Sequence, residues 1–257
     1  MSTSTTSSGT VARVTRLLTV LAECDGPSSL TDIAQRMDLP SSTVHRLLSL
    51  LAEQGFVERD PATRSYRVGL ELYRIGSLVA SKLQITEIAE RFMQAVVAEC
   101  DETCMLSLYE PTSLSFTIAK VVYGSHPLRY EVKLFDRSSL VWGAPGRGIL
   151  AFLPPAQIDA AIASERARPQ VIPGRDFTRV KGDLEATRQR GYAFTKGQNV
   201  PGAVGISAPI FSPHGVIGAL CVTIPEGRFT DEMGEKVARV VTSQARLFSA
   251  ALGTRKG

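Results

Sequence analysis

Residues 29–55 read SLTDIAQRMDLPSSTVHRLLSLLAEQG, and the fold of the amino-terminal region turns on how this stretch breaks into helices. Ser29 can cap a helix, with Asp32 three residues later in the manner of a capping box. Leu30, Ile33, Ala34 and Met37 then fall on one helical face. Asp38-Leu39-Pro40 is a short connection, and a second helix is expected from Ser41 to about Gln54, with Gly55 as a left-handed stop. That second helix has two faces at the same spacing. Val44, Leu47, Leu48 and Leu51 form an apolar stripe; Ser42, His45, Arg46 and Ser49 form a polar one.

Upstream, Val11, Val14, Leu17, Leu18 and Leu21 recur at helical spacing opposite Arg13, Thr15 and Arg16, until Asp25-Gly26-Pro27 breaks the helix. Downstream, strands are expected at Phe56–Arg59 and Ser65–Val68, joined through Asp60-Pro61, which suits a type I turn. Helix, helix, short turn, helix and hairpin is the element order of a winged helix-turn-helix.

In such a domain the polar face of the third helix meets DNA. Ser41, Ser42 and Thr43 put small hydroxyls in its first turn, where free N–H groups and the helix dipole favour phosphate. Arg46 has the reach and geometry to grip guanine O6 and N7, and His45 can donate to a base or phosphate acceptor. Arg64, at the hairpin tip, is placed for the flanking backbone or minor groove. Any surface helix also has a polar face, and any turn can carry a solvated arginine. Acidic and basic residues nearly cancel over residues 1–83, so the expectation rests on the order of elements and not on charge.

Residues 69–100 read as mostly helical. Alternation at Cys104, Leu106 and Leu108 marks a strand, and further strands are expected at Ser115–Val122, Tyr192–Lys196, Val204–Phe211 and Val216–Ile224. Helices are expected at 155–166, 176–190 and 230–252. The fold class is therefore α+β. A tail over 1–9 precedes a winged helix-turn-helix over 10–70, a linker helix over 71–84 and an α/β domain over 85–257.

The 257 residues are 44% hydrophobic and 21% charged, with a net charge of +4, the composition of an ordinary globular protein. No apolar run approaches the ~18 residues of a membrane span. The Ser/Thr-rich start lacks the basic and apolar segments of a secretion signal, so a cytoplasmic location is expected, with no membrane partner. Cys24, Cys100, Cys104 and Cys221 form no C-x-x-C pair and only three histidines are present; no metal site and no cofactor is expected.

Three segments carry a family resemblance: Leu30-Thr31-Asp32-Ile33-Ala34, Leu39-Pro40-Ser41-Ser42-Thr43-Val44-His45-Arg46-Leu47-Leu48 and Arg67-Val68-Gly69. Together they resemble the signature of IclR-type regulators, and Gly191-Tyr192, Val200-Pro201-Gly202 and Ala208-Pro209-Ile210 resemble the same family's effector domain. The resemblance implies dimers or tetramers on pseudo-palindromic double-stranded operators. It also implies a GAF-like carboxy-terminal domain for a small organic or aromatic acid. Carried over by position, the effector pocket would use Gly143, Ala144, Pro145, Thr195, Ala203, Gly205, Cys221 and Thr223.

The residues lend this pocket some support of their own. Cys221 and Thr223, two apart on a strand, face the same way. Ala203 and Gly205 leave space and would expose backbone amides, and a short helix near Pro145-Gly146 could turn its amino end to a carboxylate. The chain departs from the family at Val141-Trp142, where a His is usual, and at Gly146-Arg147, where Gly-Lys is usual. Thr195 is neutral where members taking very small keto acids can carry an acid. Trp142, Phe135 and Phe194 point either to a bulkier aromatic effector or to core packing, with packing the commoner cause.

No catalytic constellation assembles. Gly143–Gly148 lacks the phosphate-loop Lys, and Gly205-Ile206-Ser207-Ala208-Pro209 is not a nucleophile elbow. Two further readings stand beside an effector-controlled repressor: a thiol-based redox sensor with the same head, and a metabolite-binding module that does not bind DNA. Against thiol sensing, Glu99, Asp101 and Glu102 crowd Cys100 with negative charge, which would raise its pKa.

Overall fold

The computed structural model of the protein describes residues 9–80, 85–168 and 175–253. Residues 1–8 of the expected tail over 1–9 and the end of the expected linker helix, 81–84, lie outside the described residues. Two units divide between Gln84 and Ile85.

The first unit contains helices α1 (Thr10–Ala22), α2 (Leu30–Met37) and α3 (Ser41–Glu53), strands β1 (Val57–Arg59) and β2 (Tyr66–Val68), and helix α4 (Leu70–Ala80). Leu17 and Leu21 of α1, Ile33 and Met37 of α2, and Val44, Leu47, Leu48 and Leu51 of α3 form one core with Val57 and Tyr66. Val11, expected on the inner stripe, is exposed, because the first turn of α1 adds nothing to this cluster. Ser29 Oγ accepts from the Asp32 N–H at 3.2 Å and donates to Asp32 Oδ2 at 2.7 Å. The cap forms, but the reciprocal bond runs through the hydroxyl.

The hairpin is tied from an unexpected side. Ser28 and Tyr66 exchange both backbone bonds, at 2.9 and 2.8 Å, so the loop between α1 and α2 adds a one-residue bridge to the wing. At the tip, Asp60 Oδ1 accepts from the N–H groups of Ala62 and Thr63, and its carbonyl accepts from Arg64 at 2.8 Å. That i to i+4 closure makes the loop longer than a four-residue turn. It leaves Arg64 at φ 57°, in the left-handed region.

The second unit runs α5 (Ile85–Cys100), β3 (Thr103–Glu110), β4 (Ser115–Val122), β5 (Arg137–Ser139), α6 (Ala144–Leu150), α7 (Pro155–Arg166), α8 (Val180–Arg190), β6 (Ala193–Lys196), β7 (Ala203–Ser212), β8 (Gly215–Pro225) and α9 (Asp231–Gly253). The strands form one antiparallel sheet in the order β5-β4-β3-β8-β7-β6. Period-two alternation sorts its faces. Leu220, Val222 and Ile224 of β8 join Cys104 and Leu106 of β3 against α5 and α9. Ala219 and Cys221 turn the other way with Met105, toward α6.

Strand β5, only three residues long, has no alternation to announce it and was not expected. Helix α8 starts four residues later than expected, because Asp176 Oδ1 accepts from both the N–H and the hydroxyl of Thr178 and holds a turn there.

Candidate nucleic-acid interface and effector cavity

Helix α3 buries Val44, Leu47, Leu48 and Leu51 and leaves Ser41, Ser42, His45, Arg46 and Ser49 exposed, with Thr43 half-buried. Its N-cap is Pro40, which offers no side-chain acceptor, while the Pro40 carbonyl accepts from Thr43 and Val44. The N–H groups of Ser41 and Ser42 are therefore left to an external acceptor. Neither His45 nor Arg46 has a side-chain hydrogen bond or ion pair among the described residues. Arg64 is also exposed, whereas Arg67 on the same hairpin is paired with Glu58 at 2.8 Å. The arrangement puts hydroxyls, unsatisfied amides, an imidazole and a free guanidinium on one side of one helix.

In the second unit a cavity of about 340 Å³ opens beside α6, within the range of small-molecule sites. Of the eight residues expected there, Gly143, Ala144, Pro145, Thr195, Ala203, Gly205 and Thr223 line it together. Cys221 does not. It is fully buried one pair further along β8, against Met105, Ala144 and Ala193.

Two details of the cavity differ from expectation. Gly205 leaves no open space, because a Cβ there would lie 2.8 Å from the Ala144 Cβ. Nor does it offer free amides, since it is paired with Thr195 on β6 and Thr223 on β7's other neighbour, β8. Its smallness serves the close approach of α6 to the sheet. Gly143 is the N-cap of α6 at φ 82° and sits against Asn199, which also lines the cavity.

The aromatic residues expected near the cavity are elsewhere. Trp142 is buried in the core beside Ile149 and Leu150, Phe194 packs on Phe229, and Phe135 is exposed. Phe116 and Tyr130 line the cavity instead, with Met105, Ile118 and Val132. Tyr130 lies on the connection between β4 and β5, and its hydroxyl donates to the Pro201 carbonyl at 3.3 Å. Lys133 is the one cation among the lining residues, beside the carboxylates of Glu131 and Asp136.

Two family models match the chain: the IclR helix-turn-helix domain over residues 10–61 and the bacterial transcriptional regulator IclR C-terminal domain over residues 77–250. The chain belongs to the IclR family. It is 29% identical to the HTH-type transcriptional regulator KipR of Bacillus subtilis, over 88% of this chain and 90% of that one. It is 26% identical to the transcriptional repressor IclR of Escherichia coli, over 95% and 89%.

Among solved structures, an IclR-type regulator from Silicibacter superposes with a TM-score of 0.84 at 24% identity, covering 97% of this chain and 98% of that one. An IclR homolog from Microbacterium hydrocarbonoxydans, complexed with 4-hydroxybenzoate, superposes with a TM-score of 0.76 at 23% identity, covering 94% and 99%. This IclR-family chain is thus a DNA-binding transcription regulator, in a family of regulators and not of enzymes.

Within the IclR-family chain the three buried thiols are poorly placed for chemistry. Burial raises Cys100, an effect that Lys236 opposes and Glu99 and Glu102 reinforce. Burial holds Cys104 well above its ordinary value and pushes Cys221 up to about 12. A thiol that stays protonated is a weak nucleophile. Among the described residues no cluster of His, Cys, Asp and Glu could hold a metal ion, and no helix is long and apolar enough to cross a membrane.

Sequence reasoning missed the cavity's outer wall: Tyr130, Val132, Lys133, Ser138, Gln198 and Asn199. Most of these sit on irregular connections, where hydrophobic period carries no information.

Proposed function

We propose that the protein is a homo-oligomeric repressor that binds a pseudo-palindromic operator through α3 and is controlled by a small organic acid, with an aromatic acid favoured. The observation that carries this reading is the sidedness of α3. Its apolar stripe is spent on the core, while Ser41, Ser42, Thr43, His45 and Arg46 face outward around an uncapped amino end. Two such helices related by a two-fold axis would enter successive major grooves about 34 Å apart, with Arg64 at the flanking backbone.

Helix α4 supports self-association. Leu70 and Tyr73 are each 71% exposed, and Leu78 and Val79 are about half exposed, an apolar surface of the kind that a second copy covers. The cavity supports an aromatic effector, because Phe116, Tyr130, Met105 and Ile118 offer ring-sized apolar contact. Thr195, Thr223, Ser138 and Lys133 can meet its polar ends. The Microbacterium relative bound to 4-hydroxybenzoate is consistent with that class.

Ligand binding controls DNA only by favouring one arrangement of the heads over another, with couplings typically of ~1–3 kcal/mol. The site of action is the cytoplasm, where the operator is. Footprinting of the intergenic DNA beside the gene, with and without 4-hydroxybenzoate and related acids, tests the reading. A protected palindrome that is lost on adding one of the acids supports it. Binding that ignores DNA sequence and every acid tried sinks it.

A further inference from the structure

A second cavity, of about 300 Å³, lies on the other side of Thr195 and Gln198, two residues that line both cavities. Its character is opposite to that of the first. Arg147, Arg179, Arg190 and Lys196 face it, against only Asp176 and Asp183.

Both carboxylates are already engaged. Asp183 Oδ2 takes the Arg147 Nη1–H, and Asp176 Oδ1 accepts from the Thr178 N–H and hydroxyl. The Arg147 side chain is only 3% exposed, and its Nε–H goes to the Val141 carbonyl at 3.0 Å. Arg190 spends its Nε–H on the Tyr192 carbonyl, and Lys196 pairs outside the cavity with Glu226 at 2.9 Å. The Arg179 guanidinium has no hydrogen bond or ion pair among the described residues. Burial lowers the Arg147 pKa, Asp183 opposes this, and the positive charges of Arg179 and Arg190 add to the lowering.

Two polar atoms in the wall lack partners as well. Trp142, 2% exposed, has its indole Nε1–H buried and unbonded, and Gln198 has its Oε1 buried and unbonded. An orphaned buried donor is costly, so such atoms are normally satisfied. A concave site with excess positive charge, an exposed guanidinium free of protein partners and an unused N–H suits an anion. The unused amide oxygen asks for a hydroxyl on the same molecule.

We propose that this second cavity is a binding site for a small hydroxylated oxyanion, a hydrogen phosphate or a hydroxycarboxylate, separate from the effector cavity. The anion would accept from Arg179, with the Trp142 N–H and Arg190 completing its shell, while its hydroxyl donates to Gln198 Oε1. Because Thr195 and Gln198 belong to both walls, an occupied anion site fixes one side of the effector cavity.

The test uses the full chain, in which Trp142 is the one tryptophan and lies in the wall of this cavity. Inorganic phosphate and citrate are titrated separately at constant ionic strength, with chloride as the control. The expected result is a saturable change in Trp142 emission with one of the two anions, matched by heat in calorimetry. Which anion binds tells a phosphate source from a carboxylate one. Arg179→Ala should weaken binding about tenfold or more, the loss expected for one charge-assisted hydrogen bond. Trp142→Phe, followed by calorimetry, should weaken it by a smaller factor.

Thr223→Val, which alters the effector cavity, should leave anion binding intact. No saturable response to either anion beyond that of chloride overturns the proposal. So does binding that Arg179→Ala leaves unchanged, or binding that Thr223→Val abolishes.

Discussion

Gly205→Ala is the sharpest test of how α6 is held over the sheet. The added Cβ would meet the Ala144 Cβ at 2.8 Å and the Thr195 hydroxyl at 3.4 Å. Carbon atoms are at ease at about 3.5–4.0 Å, so about 0.7–1.2 Å of separation must be found. Strand β7 lies between β6 and β8 and cannot move far, which leaves the amino end of α6 to give way. Overpacking of this kind typically costs ~1–3 kcal/mol.

Urea unfolding followed by Trp142 fluorescence reads that cost in the second unit alone, since the chain has a single tryptophan. Ala144→Gly removes the opposing Cβ at a cost of ~0.5–1 kcal/mol of its own. In the double variant it should recover most of the loss, giving a coupling of about 1 kcal/mol or more in a double-mutant cycle. Effector affinity should fall in Gly205→Ala, because Ala144 and Gly205 both line the cavity. A single-variant cost below about 0.5 kcal/mol, within the range of a neutral surface change, would refute the close-approach argument. So would two penalties that simply add.

Four further outcomes are expected. Arg46→Ala should cost roughly 1–3 kcal/mol of discrimination between the operator and a base-substituted operator, with effector affinity unchanged; gel-shift competition reads it. Thr223→Val should weaken the effector response while operator binding persists, read by titrating the acid into the preformed complex. Ser29→Ala should cost about 1 kcal/mol through the lost cap on α2, read from thermal unfolding by circular dichroism. In the native chain at pH 8, Cys104 and Cys221 should resist thiol reagents, because a raised pKa keeps a thiol protonated until the pH nears it, about 12 for Cys221. Cys24, half-buried beside Arg36, should react first. Fast labelling of Cys104 or Cys221 without unfolding would revive the thiol-sensor reading.

The helical head was legible because its signals are local. Ser29 and Asp32 lie within one turn of each other, the two stripes of α3 repeat at i, i+3, i+4 and i+7, and Gly55 and Asp60 mark where the chain must stop or turn. The long strands β7 and β8 were legible for the same reason, since alternation along one strand already assigns its faces. The Ser28–Tyr66 bridge was not, because its partners are far apart in sequence and carry no mark of pairing.

The candidate sites divide along the same line. One helix contains Ser41, Ser42, Thr43, His45 and Arg46, so its period alone determines that they share a side. The candidate effector cavity draws on β3, β4, β5, α6, β6, β7, β8 and three irregular connections. Seven of its residues could be placed by resemblance, but the exclusion of Cys221 and the entry of Tyr130 and Lys133 could not. The excess of positive charge in the second cavity is likewise invisible in a chain whose charges nearly cancel. Arg147, Arg179, Arg190 and Lys196 are scattered over fifty residues and meet only when α6, α8 and β6 pack. Sequence determines what repeats within a few residues of itself. Which side chains from distant segments converge, and which of them are left without a partner, is decided only by tertiary packing, because both depend on the distances that packing sets.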